Sequence, residues 1–247
     1  IMDASFYPSV QTVIVCKSPQ VGCTEAVLNC IGYAADRDPG PVLAVYPDEK
    51  TARENSQDRI QPMFETSPGL RSLLTGYEDD KSNTRIKLKH MILYMAWASS
   101  AARLANKPIR YVVLDELDKY PLTAGKKEAS PEALAEARTT TYRWNRKIWK
   151  ISTPTIETGP IWRALTTEAQ VIFDYWVRCP LCGKRQLMRF SQDTFKWPHG
   201  EEHSLDPEEI EADNLAWYEC EHCHAKWDDT IRDQTVRCLL YPSDAAD

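Results

Sequence analysis

Two neighbouring acids, Asp115 and Glu116, close an apolar run, Tyr111-Val112-Val113-Leu114. A continuous apolar stretch of this length suits a strand buried on both faces, as in a parallel sheet. Two carboxylates at the end of such a strand repel each other and resist the low dielectric around them, so the pair predicts a bound cation. One acid would hold a divalent metal and the next would orient a water for attack on a phosphoryl group. A core strand ending in a solvated acidic turn shows the same pattern. The chemistry therefore requires a phosphate-binding partner upstream.

Lys17-Ser18-Pro19-Gln20-Val21-Gly22-Cys23-Thr24-Glu25 offers one. A β-branched strand over residues 10–16 runs into it, and a helically spaced segment over 26–35 follows, ending before Asp38-Pro39-Gly40-Pro41. In a strand–loop–helix of this kind, backbone N–H groups and the helix N-terminus cradle phosphates. Gly22 permits close backbone approach, and Thr24 stands where a P-loop hydroxyl touches Mg²⁺. The literal motif fails twice: Lys17 replaces the opening glycine, and Cys23 replaces the lysine after Gly22. Lys17 can bring the missing cation from the other side of the loop. An ordinary βα turn with an exposed lysine fits this loop equally well.

A second chemistry lies near the end. Cys179-Pro180-Leu181-Cys182 and Cys220-Glu221-His222-Cys223 are two Cys-x-x-Cys knuckles, which together supply four thiolates to one tetrahedral Zn²⁺. Redox dithiols are the alternative. The spacer over 183–219 is longer than a compact ribbon prefers, and suits a small inserted subdomain. His222 and His224 read as exposed bystanders, and Cys16, Cys30 and Cys238 as buried or incidental thiols. The acidic stretch over 193–214, with Glu201, Glu202, Glu208, Glu209 and Glu211, reads as a solvated face.

The elements that must position these groups follow from the rest of the chain. Its 247 residues, 43% hydrophobic, allow one large core and a small appendage. No apolar run approaches the ~18 residues of a membrane span, and the first residues lack a signal-peptide pattern, so a cytoplasmic location is expected. Eight cysteines without secretion signals point to metal or free thiols. A net charge of -6 gives no global case for a polyanionic partner, which would have to use local basic patches. A second strand is predicted over 42–46. A helix is predicted over 48–65, with Asp48 as N-cap and Pro62 breaking or kinking its end. A short strand pair is predicted over 86–88 and 91–95, then a small basic segment over 99–107. The strand over 112–116 leads to a polar loop over 120–130 that includes Gly125-Lys126-Lys127. A helix from 131 to about 141 and a strand over 149–151, ending in Ser152-Thr153, complete the series. The alternation predicts an α/β, doubly wound, mostly parallel sheet of P-loop NTPase type with a small zinc-stabilised C-terminal module. The Lys17 loop, Asp115-Glu116 and Ser152-Thr153 would then share one carboxyl edge, where such sheets bind ligands.

The Lys17–Glu25 loop, Ile109-Arg110-Tyr111-Val112-Val113-Leu114-Asp115-Glu116-Leu117-Asp118-Lys119-Tyr120-Pro121, Arg138-Thr139-Thr140-Thr141 and Ser152-Thr153-Pro154-Thr155 together resemble the ATPase of lambda-type (GpA family) large terminase subunits of tailed phages. The likeness extends from about Ile1 through Trp227, and the tyrosine-containing segment after the acids makes it specific. It implies ATP hydrolysis powering translocation of double-stranded viral DNA into a procapsid, with ATP, Mg²⁺ and Zn²⁺ as cofactors. Phosphate loops in this family often deviate, some with the lysine displaced to the first position, as Lys17 is here; Cys23 departs from members with lysine at that place. By resemblance, Lys17, Ser18, Gln20, Val21, Gly22, Cys23 and Thr24 bind nucleotide and Lys17 also serves catalysis. Asp115 and Thr24 hold Mg²⁺, Glu116 positions the attacking water, and Ser152-Thr153 couple hydrolysis to DNA movement. The resemblance further implies a small terminase subunit, a portal protein and other copies of the chain as partners, and no membrane. Its place would be the host cytoplasm and, transiently, the procapsid portal. The expected organisation is a motor over 1–173, a Cys₄ zinc-knuckle module over 174–230, and an unassigned tail over 231–247. The chain is expected to be an internal fragment without nuclease activity. The rival reading is a zinc-stabilised nucleic-acid-binding or assembly module with a degenerate, non-hydrolysing nucleotide site. A helicase-like ATPase would share the chemistry, but helicase motifs are not seen.

Overall fold

A computed structural model describes residues 1–105, 107–125, 128–174, 176–189, 191–198 and 206–237. Lys126, Lys127, Glu201, Glu202 and Cys238, with the tail after it, lie outside the described residues. The chain divides into two compact units, Ile1–Gln170 and Val171–Asp247.

In the first unit a short helix α1 (Met2–Phe6) precedes β1 (Thr12–Cys16), which passes through the Lys17 loop into α2 (Cys23–Arg37). Then come β2 (Val42–Tyr46), α3 (Glu49–Asn55), α4 (Gln61–Thr66) and α5 (Pro68–Arg71). Strands β3 (Lys81–Ser82), β4 (Arg85–Lys87) and β5 (Ile92–Trp97) lead to α6 (Ala101–Leu104) and β6 (Tyr111–Asp115). Helix α7 (Pro131–Ala137), β7 (Lys147–Ser152) and α8 (Pro160–Arg163) complete the unit. Seven strands form one sheet in the order β1-β7-β6-β2-β5-β4-β3. The first five run parallel, and β4 and β3 add on antiparallel. The fold is thus the expected α/β arrangement with a mostly parallel sheet.

Burial on both faces explains the apolar runs. Every residue of β2, β6 and β7 is buried. One face packs Val13, Val113, Trp149 and Ile151 against α2 and Phe64 of α4. The other packs Ile148, Val112 and Leu43 against Leu104, Ala135 and Ile161. Truncating such a fully buried aliphatic residue to alanine costs about 2–5 kcal/mol.

Three local expectations change. The short pair expected over 86–88 and 91–95 forms as antiparallel β4 and β5, but β5 also pairs along its other edge with β2, Val42 opposite Leu93, and so belongs to the main sheet. The helix begins at Asp48, whose carboxylate accepts the Thr51 N–H, and it runs on through Pro62 to Thr66. Its irregularity lies upstream, in a π turn over Ser56–Ile60. The wider coil there accommodates the pyrrolidine ring and the N–H that proline lacks. Finally, α7 stops at Ala137, and a 3₁₀ turn over Thr140–Tyr142 replaces its expected last turn.

Strand β7 also carries a lysine into the interior. Lys150, 2% exposed, lies 2.8 Å from Glu132, 2.9 Å from Glu136 and 2.6 Å from Glu168. Glu132 and Glu136 are one helical turn apart on α7 and so present both carboxylates to one strand position. These partners hold the ammonium charged despite its burial.

The second unit comprises an antiparallel pair, β8 (Trp176–Arg178) and β9 (Arg185–Leu187), and a three-stranded sheet of β10 (Phe195–Lys196), β11 (Trp217–Glu219) and β12 (Lys226–Trp227). Helices α9 (Pro207–Ala212) and α10 (Asp229–Arg237) flank these strands in sequence. Its core is small: Val177, Tyr218, Trp227 and two of the cysteines, with the Tyr218 and Trp227 rings 5.0 Å apart. Cores of this size need a staple.

Candidate nucleotide and metal sites

Parallel strands β1, β6 and β7 deliver Cys16, Asp115 and Ser152 to the same edge of the sheet, and the Lys17 N–H bonds the Ser152 carbonyl at 3.1 Å. The structure therefore brings the Lys17 loop, Asp115-Glu116 and Ser152-Thr153 together, as the strand pattern predicted.

The loop turns by means of two left-handed residues, Gln20 (φ 58°) and Gly22 (φ 77°). A Cβ on Gly22 would meet no atom within 4 Å, so glycine is required there for its backbone angle rather than for space. Gly22 is the N-cap of α2 and no side chain caps that helix; its carbonyl accepts the first helical bond, from Ala26. The N–H groups of Cys23, Thr24 and Glu25 precede that bond in the first turn, where an anion is favoured. Cys23 is 8% exposed and packs in the core, so it can offer the loop its backbone N–H but not an extended side chain. Burial pushes its thiol pKa up, and the nearby charge of Lys17 opposes this.

Asp115 is 6% exposed, and its Oδ1 is buried without a hydrogen-bond partner among the described residues. Burial, then the adjacent charge of Glu116, raise its pKa to about 6; Lys17 acts against both. An orphaned, buried carboxylate oxygen beside a second acid is the donor chemistry that suits a divalent cation. Glu116 itself has φ 55°, a left-handed conformation that costs a non-glycine residue of order 1 kcal/mol or more. That backbone delivers its carboxylate between two ammonium groups, Lys17 Nζ at 3.2 Å and Lys119 Nζ at 3.2 Å. Sequence reasoning placed Lys17 and Glu116 in one site but did not foresee that they are bonded partners.

It also missed Asp118. The Asp118 N–H donates to Ser152 Oγ (3.1 Å), and its carboxylate accepts from Thr155 N (3.0 Å), Thr155 Oγ1 (3.1 Å) and Ile161 N (2.7 Å). One side chain thus straps the turn after β6 to the loop after β7 and to the start of α8. Gly159 is required beneath it, because a Cβ there would lie 2.5 Å from Asp118 Oδ2. The sequence signal was slight: an acid two residues after Glu116, and a Gly-Pro step before α8.

In the second unit, both knuckles fold alike. The N–H of Gly183 bonds Cys179 O (2.8 Å) and that of His224 bonds Cys220 O (3.0 Å), and Gly183 (φ 72°) and His224 (φ 56°) occupy matching left-handed positions. The four thiol sulfurs of Cys179, Cys182, Cys220 and Cys223 lie within 4.8 Å of one another. The closest crossings join different knuckles, Cys179–Cys223 at 3.8 Å and Cys182–Cys220 at 3.9 Å. A tetrahedral ion with ~2.3 Å sulfur bonds sets its ligand atoms about 3.8 Å apart, so the cluster fits one metal ion better than two separate dithiols. Burial pushes the Cys179 thiol up, but the N–H groups of Cys182 and Leu181 outweigh it and bring the pKa down to about 7. The Cys220 thiol donates to Gln186 Oε1 at 3.0 Å, and the same oxygen accepts the Glu221 N–H at 3.2 Å, so Gln186 ties the second knuckle to β9. His224 turns to Glu219 and His222 to the Arg185 carbonyl, so neither joins the cluster.

Among known proteins, a family model described as "Phage terminase large subunit gpA, ATPase domain" matches residues 1–238. A curated relative, the terminase large subunit of Enterobacteria phage P21, is 24% identical over 230 residues, which is 90% of this chain and 34% of the relative. The chain thus spans about a third of that relative's length. Two solved structures of the Thermus phage P74-26 large terminase ATPase domain also align. One, an arginine-to-alanine variant, has a TM-score of 0.45 and 15% identity, covering 64% of this chain and 65% of that one. The other has a TM-score of 0.42 and 13% identity, covering 63% and 65%.

Proposed function

Because the chain belongs to the phage terminase large subunit gpA family and matches its ATPase domain, we propose that it hydrolyses ATP to drive double-stranded viral DNA into a procapsid. The observation that carries this reading is the buried, unpartnered Asp115 oxygen next to Glu116, facing a phosphate-type loop across one sheet edge. A solvated acidic turn would have no reason to bury that oxygen.

In this reading the loop is a P-loop variant. The N–H groups of Ser18, Gln20, Val21, Gly22, Cys23 and Thr24 hold the phosphates at the N-terminus of α2, and Lys17 supplies the cation that Cys23 does not. Asp115 and the Thr24 hydroxyl would hold Mg²⁺, which would supply positive charge against the phosphates. Glu116 leaves Lys17 and orients the attacking water. The pair that must open is largely shielded from water, with side chains 9% and 24% exposed, so its opening requires the triphosphate to take over the Lys17 charge. Ser152 and Thr153, strapped to the acid turn through Asp118, carry the change towards DNA.

Residues 1–173 would form the motor and 174–230 a module holding one structural Zn²⁺ on Cys179, Cys182, Cys220 and Cys223. Family membership supports a small terminase subunit, a portal protein and further copies of the chain as partners, in the host cytoplasm and transiently at the portal. No helix among the described residues is long and apolar enough to cross a membrane. ATP hydrolysis by the purified chain, with and without duplex DNA, is the test. One observation favours the rival reading of a non-hydrolysing binder: Cys23 packs in the core where the usual loop lysine would stand. Nucleotide binding without turnover would establish that rival.

A further inference from the structure

Most cations of the first unit are paired with acids, as in Arg110–Asp38, Arg53–Glu49 and Lys81–Glu65. Three adjacent ones are not. Arg103, Lys107 and Arg138 line one small cavity beside Tyr94, and no carboxylate among the described residues lies in ion-pair reach of any of them. The Arg138 Nε is buried without a hydrogen-bond partner among the described residues. Burial lowers the pKa of Lys107, and the charges of Arg85 and Arg103 add to the effect, so these cations sit close enough to repel. Arg85 stands directly opposite Tyr94 across β4 and β5 and shares its sheet face, but it lies 3.9 Å from the Asp80 carboxylate and so is not one of the unpaired three. On a chain of net charge -6, a cluster of unpaired cations is a local exception.

The cavity's volume is about 10 Å³. That is room for roughly one water or one phosphate oxygen, and excludes a nucleotide or a base. The aromatic faces nearby are already covered: Lys107 Nζ lies 3.8 Å from the Tyr94 ring centroid, and the Arg103 guanidinium lies 4.3 Å from that of Trp97. The surface therefore offers charge without a stacking platform, which suits a stacked duplex backbone and not unstacked single-strand bases. Strand β5 is four places from β1 in the sheet, about 19 Å at ordinary strand spacing, so the cluster is separate from the phosphate loop.

We propose that Arg103, Lys107 and Arg138 form a sequence-independent contact for the phosphodiester backbone of duplex DNA. This rests on the DNA-translocating reading above and names the surface that meets the polymer. The test is binding of a fluorescent ~30-base-pair duplex to the full chain across a salt series. Each lost phosphate contact lowers the slope of log affinity against log salt by about 0.9. Arg103→Gln with Lys107→Gln should therefore lower the slope by about 2 and weaken low-salt binding at least tenfold. The charge-keeping pair Arg103→Lys with Lys107→Arg should retain the wild-type slope, which a merely structural role would not predict. An unchanged slope in the glutamine pair, with the thermal transition intact, overturns the proposal, as does tighter binding of single strands than of duplex. Hydrolysis of ATP by the wild-type chain, measured alongside, separates the two claims. Hydrolysis with an unchanged slope loses only this surface, and a charge-dependent slope without hydrolysis loses only the ATPase reading.

Discussion

Lys17 and Glu116 are each other's ion-pair partners, 3.2 Å apart, although the proposed phosphoryl transfer would place one on a phosphate and the other on a water. Removing either should stop turnover in a different way. Glu116→Gln should retain Mg-nucleotide binding and lose on the order of 10²–10⁴ in rate. Lys17→Ala should lose about 10²-fold or more in rate and weaken nucleotide binding as well. Single-turnover hydrolysis and equilibrium binding of a fluorescent nucleotide separate the two. If both variants bind and turn over as wild type, the loop is only a βα turn.

Asp115 sets a pH dependence. Its folded-state pKa, about 6, lies above the ordinary 3.8, so the folded chain holds this proton more tightly than the unfolded chain does. The cost of ionising it is absent below about pH 4, grows as pH rises through 6, and is complete above. A shift of this size corresponds to roughly 2–3 kcal/mol. Asp115→Asn should accordingly raise Tm relative to wild type at pH 7.5 but not at pH 4, while weakening Mg²⁺-dependent nucleotide binding. Equal Tm differences at both pH values would contradict the burial argument.

The cysteine cluster predicts a metal-dependent second unit. Metal binding and folding of so small a module are one free energy, of order 10 kcal/mol in zinc-finger peptides. Chelation strong enough to remove the ion should open the knuckles to proteolysis while the sheet of the first unit stays protected. Elemental analysis should return one zinc per chain. Four freely alkylated thiols in the folded protein, with no zinc, would reinstate the two-dithiol reading.

The Asp118 strap predicts non-additive mutations. Asp118→Ala removes three accepted hydrogen bonds, and Gly159→Ala pushes a methyl against the same carboxylate. Each should destabilise by about 1–3 kcal/mol. The double variant should cost less than the sum, since the clash loses its partner. Urea melts of the four proteins measure this, and strict additivity would mean that the two residues act independently.

Much of this arrangement is written in short-range pattern. Strand β2 is an unbroken apolar run over Val42–Tyr46, bounded by proline and Asp48, and the structure has it at those residues. The paired knuckles announce themselves by spacing, and the sulfurs do converge. What pattern does not carry is pairing across distance. Ile86–Leu88 and Met91–Met95 read as a short strand pair because they are adjacent in sequence, while the pairing of β5 with β2 leaves no local trace. Nothing in sequence near Lys150 announces that α7 will bring two glutamates to it. Asp118 looked like one more acid until Ser152, Thr155 and Ile161 came within its reach.

The position of β1 has a consequence for synthesis. It lies at the edge of the sheet and its one strand neighbour is β7, with Thr12 opposite Ile148. The loop that follows β1 therefore has no wall to lean on until nearly the whole first unit has left the ribosome. At 5–20 residues per second, that interval is on the order of ten seconds, during which β1 emerges as an unpaired, β-branched segment. Nascent chains arrested before Ser152 should carry a complete Lys17 loop sequence and no nucleotide site.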